Sequence, residues 1–77
     1  MAQTAPDFGK ATKLLRQRQG ISQTELRKLT GLEASYISRL ENGKFEPTVK
    51  TIMKIAKAFK MSVAQFVDCA ENHHNCK

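Results

Sequence analysis

Four side chains able to ligate a metal stand close together: Cys69, His73, His74 and Cys76 fall within eight residues. Cys69 and His73 are four apart, so a helix would carry both on one face. Thiolate and imidazole are donors of a tetrahedral zinc site. Yet the spacing is not that of a zinc finger or ribbon, and three of the four crowd into an expected polar tail. No metal is therefore expected, and these residues remain weak candidates. With two cysteines and nothing else that reads as secreted, reduced thiols are expected in place of a disulfide framework.

Catalysis finds no support. The chain has no Gly-rich phosphate loop and no nucleophile elbow. Its seven acidic residues read as ordinary surface charges. Neither an enzyme nor a cofactor is expected.

A second set of side chains has the chemistry of recognition. Ala34, Ser35, Tyr36 and Arg39 lie in one short segment, with Arg39 three residues beyond Tyr36 and four beyond Ser35. A helix presents these groups together. Small and hydrogen-bonding groups suit the base edges of a duplex, and a guanidinium matches the O6 and N7 of guanine.

The elements that must position this set run from Ser22 to Lys44 and read as two short helices about a tight turn. Ser22 is a good N-cap for the first. Leu26 and Leu29 give that helix an apolar edge. Leu32, Ile37 and Leu40 give one to the second, predicted over about 34–42. Gly31 and Gly43 stand where each helix must stop. Two helices joined by a short Gly-containing turn form the helix-turn-helix pattern.

The segments SQTEL, GL, SYISRLENGK and EPTVKTIMKIAKAF resemble the Cro/C1-type (XRE-like) helix-turn-helix family of bacterial and phage regulators, over roughly residues 8–66. The resemblance implies an all-α, compact bundle of about five helices, the lambda-repressor-like DNA-binding domain. It implies a sequence-specific transcriptional regulator, expected as a repressor, that reads the major groove of double-stranded DNA. Base contacts are then expected from Ala34, Ser35, Tyr36 and Arg39, and phosphate contacts from Ser22, Gln23, Asn42 and Lys44. Arg16 and Glu41 match a structural ion pair of the family, and the last helix is expected to form a homodimer. Small relatives also serve as antitoxins or as restriction-modification controllers, so a protein partner is the alternative. Three positions depart from the family: Thr12 replaces a larger aliphatic residue, Arg27 a small one, and Glu33 a Ser or Thr cap.

A chain of 77 residues has room for one small domain. That domain is expected over 7–70, between a flexible arm at 1–6 and a polar tail at 71–77. Asp7 is expected to cap a first helix reaching Gln19, with Phe8, Ala11, Thr12 and Leu15 inward and Ile21 a buried hinge beyond it. Thr48 is expected to cap a fourth, with Val49, Ile52, Met53, Ile55, Ala56 and Phe59 as core. Ser62 is expected to cap a fifth carrying Val63, Phe66 and Val67. Leu14, Phe66 and Val67 are candidates for a partner contact. The formal charge is +6, and 12 of the 13 Lys and Arg lie between Lys10 and Lys60, which suggests a polyanionic partner. No apolar run approaches the ~18 residues of a membrane-spanning helix. A cytoplasmic, bacterial or phage-encoded protein with no membrane partner is expected.

Overall fold

The computed structural model describes residues 6–73. Among them are five helices and no strand: α1 (Phe8–Gln19), α2 (Gln23–Thr30), α3 (Ala34–Glu41), α4 (Val49–Ala58) and α5 (Val63–Glu71). The all-α expectation holds. Of the expected arm only Pro6 is described, and α5 runs one residue into the segment expected as tail.

Four of the five helix starts are marked by a side chain. Asp7, Ser22, Thr48 and Ser62 each accept a backbone N–H from the first turn of the helix they precede. Glu25 and Gln65 reciprocate at Ser22 and Ser62, completing two capping boxes. Helix α3 is the exception, because Glu33 makes no side-chain cap bond. Its carboxylate is left only the attraction of the positive helix end.

The core gathers from every helix: Ala11 and Leu15, Leu26, Ile37 and Leu40, Ile52, Ile55 and Ala56, then Phe66, Cys69 and Ala70, with Phe59 just past α4. Phe66 is its aromatic centre, 5.6 Å from the Phe8 ring and 6.5 Å from that of Phe59. Thr12 is fully buried, yet its hydroxyl donates to the Phe8 carbonyl at 2.6 Å. That local bond satisfies the group without a distant partner, so the departure at this position is accommodated. Arg27 is exposed. Gly9 lies buried against the end of α3, where an added Cβ would overlap the Leu40 carbonyl oxygen. The bond from the Asp7 N–H to the Ala70 carbonyl at 3.0 Å ties the start of α1 to α5.

Several apolar residues are placed differently from expectation. Leu29 is 58% exposed, and Thr30 takes the inward position on α2. The Thr30 hydroxyl donates to the Leu26 carbonyl at 2.7 Å and accepts the Leu32 N–H at 3.2 Å, so burying it leaves nothing unpaired. Val49 and Met53, expected as core, are 70% and 55% exposed. They sit one turn apart, beside the arc that Ile52, Ile55, Ala56 and Phe59 turn inward. Phe66 is fully buried and so unavailable to a partner, Leu14 is half-buried against the core, and Ile21 is half-buried where full burial was expected.

Cys69 is buried and disulfide-bonded, against the expectation of reduced thiols. Cysteine count speaks to compartment, not to whether a given sulfur meets another. A disulfide sulfur is not a thiolate, so in this state Cys69 offers a metal no ligand. The Nε2 of His73 is shielded from solvent without a hydrogen-bond partner among the described residues. The other two residues of that cluster, His74 and Cys76, lie outside the described residues. No helix among the described residues is long and apolar enough to cross a membrane.

Candidate nucleic-acid interface

Helix α3 is held at both ends. At its start, Gly31 adopts φ 76° and donates its N–H to the Arg27 carbonyl at 2.8 Å, closing α2 and reversing the chain. At its end, Asn42 is the cap and Gly43 follows at φ 70°. The Gly43 N–H reaches the Leu40 carbonyl and the Lys44 N–H the Arg39 carbonyl, each at 3.0 Å. This paired closure is the Schellman motif, and its left-handed residue favours glycine. The Asn42 and Lys44 side chains are left exposed just past the helix.

Orientation of α3 is set by Glu41. Arg16 donates to it twice, Nε to Oε2 at 2.8 Å and Nη2 to Oε1 at 3.1 Å. Gln23 Nε2 donates to the same Oε1 at 2.9 Å. The remaining nitrogen of Arg16, Nη1, donates to the Ile21 carbonyl at 3.2 Å. One carboxylate thus joins α1, α2 and α3. Hydrogen bonding to Glu41 holds the Arg16 guanidinium above its ordinary value, with burial acting in the opposite direction.

The outer face of α3 presents Ala34, Ser35 and Arg39 to solvent. Tyr36, expected with them, is half-buried: its ring rests on Phe45 at 4.8 Å and its hydroxyl shares a hydrogen bond of 3.1 Å with Thr51 Oγ1. Thr51 lies in the first turn of α4 beside its cap, Thr48. Arg39 lies over the other partner in this group, with its guanidinium carbon 5.9 Å from the centre of the Phe45 ring. Among the expected phosphate ligands, Ser22 is exposed, but its hydroxyl accepts the Glu25 N–H at 3.0 Å. Gln23 is half-buried, with its amide nitrogen on Glu41.

The sequence reading missed Phe45 and the bond between Tyr36 and Thr51. An aromatic residue in an otherwise polar loop was the available signal for the first. The second joins side chains 15 positions apart and has no local signature.

A family model described as Helix-turn-helix matches residues 13–66, which hold α2 and α3 and the elements around them. The chain belongs to the helix-turn-helix family. It is 41% identical over 69 residues to the competence pilus inhibition repressor of Acinetobacter baylyi, covering 90% of this chain and 63% of that protein. It is 38% identical over 58 residues to the transcriptional regulator PuuR of Escherichia coli, covering 75% of this chain and 31% of that one. The chain thus spans less than two thirds of the length of either relative. Among solved structures it is similar to the restriction-modification controller protein C.AhdI of Aeromonas hydrophila, with a TM-score of 0.73, 31% identity, and 80% and 94% of the two chains covered.

Proposed function

We propose that this chain is a transcriptional regulator that binds duplex DNA sequence-specifically, places α3 in the major groove, and acts as a repressor in the cytoplasm. The observation that carries the reading is the pairing of an exposed recognition face with a fixed scaffold. Ala34, Ser35 and Arg39 project from a helix that Glu41 clamps to two others, and Asn42 and Lys44 are exposed just past its end. Base contacts from the helix specify sequence, while contacts beyond its end set position and affinity. The net charge of +6 favours a polyanion, and its effect falls with salt.

A homodimer fits this reading. Val49 and Met53 form an exposed apolar pair on α4, and Val63 is exposed at the start of α5. Two copies related by a two-fold axis would set half-sites about one helical turn apart. The likeness to C.AhdI favours a second role, that of a controller protein in a restriction-modification system.

Selection from random duplexes tests the proposal. A recovered palindrome with half-sites spaced by about one turn, roughly 10 base pairs, supports a dimeric reader. Recovery of no consensus, with binding that collapses uniformly in salt, contradicts sequence-specific recognition.

A further inference from the structure

We propose that Phe45, in the loop after α3, is a positioning residue for base reading: its ring, itself packed against Tyr36, holds the Arg39 guanidinium on the recognition face. The inference rests on the reading of α3 as the base-contacting helix.

Three observations meet at this residue. The Arg39 guanidinium carbon stands 5.9 Å from the Phe45 ring centre, within reach of a cation–π attraction. The Tyr36 ring stands 4.8 Å from the same centre at 54°, a tilted aromatic pair. Tyr36 is in turn fixed by its hydroxyl bond to Thr51 at the start of α4. Phe45 is half-buried and packed against the core, so its own position is not free to drift.

The physical consequence concerns entropy. An exposed arginine on a short helix samples many rotamers, and ordering them on binding costs affinity. A ring that already confines the guanidinium removes part of that cost. The gain appears only at the base that Arg39 contacts, because a bidentate arginine–guanine contact depends on planar alignment. Phe45 needs no contact with DNA to act this way. Its effect is on discrimination at one base pair and passes entirely through Arg39.

The test is a double-mutant cycle on the full chain, read as binding to the selected site and to its single-base variants at fixed salt. The proteins are wild type, Phe45→Leu, Phe45→Tyr, Arg39→Ala and the double variant Phe45→Leu with Arg39→Ala. Leucine keeps an apolar group against the core but removes the ring, and thermal melting establishes that each variant is folded. Phe45→Leu should lower discrimination at the Arg39 base pair by roughly two- to fivefold and leave the other positions unchanged. Phe45→Tyr should retain it. In the Arg39→Ala background Phe45→Leu should change discrimination no further. Discrimination unchanged by Phe45→Leu while Arg39→Ala abolishes it, or an equal loss from Phe45→Leu in both backgrounds, overturns the role of Phe45 and leaves the recognition face standing. Discrimination unchanged by Arg39→Ala overturns the recognition face itself and this inference with it.

Discussion

Arg16 donates two hydrogen bonds to Glu41, at 2.8 and 3.1 Å, across 25 positions of sequence. Their side chains are 15% and 4% exposed, so the carboxylate is the more deeply committed of the two. Arg16 keeps the Ile21 carbonyl if Glu41 is lost, whereas Glu41 keeps only Gln23 if Arg16 is lost.

That asymmetry sets an order of cost. Arg16→Met should destabilise by about 3–5 kcal/mol, because it strands a buried carboxylate. Glu41→Gln should cost less, and Glu33→Ala should fall within about 0.5 kcal/mol of wild type, as for an ordinary surface site. Glu25 is not a neutral control, since it completes the capping box at Ser22. Denaturant unfolding of the three variants checks the order, and Arg16→Met matching Glu33→Ala would contradict the clamp. Because the folded-state value of Arg16 is raised, its contribution is fully present below arginine's ordinary range and lost only as pH rises beyond it. Between neutrality and moderately alkaline pH, Arg16 deprotonation should therefore leave stability unchanged.

Gly9 sets two effects against each other. Alanine favours a helix over glycine by about 1 kcal/mol. Its Cβ here would overlap the Leu40 carbonyl oxygen, and the obstacle is backbone. Overpacking of this kind costs about 1–3 kcal/mol. Gly9→Ala should therefore lower the melting temperature; a rise would mean that α1 and α3 do not approach so closely.

Lys60 occupies the left-handed position after α4, with φ 59°. Its N–H reaches the Lys57 carbonyl and the Met61 N–H the Ala56 carbonyl, each at 3.0 Å, the same closure that Gly43 makes after α3. A side chain in this region costs about 1–2 kcal/mol, of which glycine's greater chain entropy returns up to about 1. Lys60→Gly should stabilise by up to about 1 kcal/mol, and a lower denaturation midpoint would contradict it.

The fold was legible because local chemistry and periodicity agree along most of the chain. Asp7, Ser22, Thr48 and Ser62 each mark a helix start that the structure shows. The Arg16–Glu41 bond was legible only through the family resemblance, since nothing local links residues so far apart. What misled was residue type at the edge of an apolar stripe. Leu29 read as part of an apolar edge and Val49 and Met53 as core, but a five-helix domain of this length has too little interior to cover every apolar face. Thr12 lies inward as expected, and Thr30, on which no expectation was placed, is buried as well; each spends its hydroxyl on the carbonyl four residues back. On the outer face of α3, the exposure of Arg39 and Ser35 was legible from helical spacing alone. Tyr36 was drawn inward by Phe45 and Thr51, neighbours that spacing does not show.

The measurement that bears most directly on recognition by α3 compares Arg39→Ala with Lys44→Ala. Each is titrated against the selected site and its single-base variants across a salt series. Arg39 is exposed on the helix face, and Lys44 is exposed past its end. Arg39→Ala should cost roughly 1–3 kcal/mol per half-site and relax preference at one base pair. Lys44→Ala should weaken all sequences alike and flatten the salt dependence by about one unit per protomer. Intact base preference in Arg39→Ala, together with altered preference in Lys44→Ala, would contradict the assignment of reading to α3 and of holding to the residues that follow it.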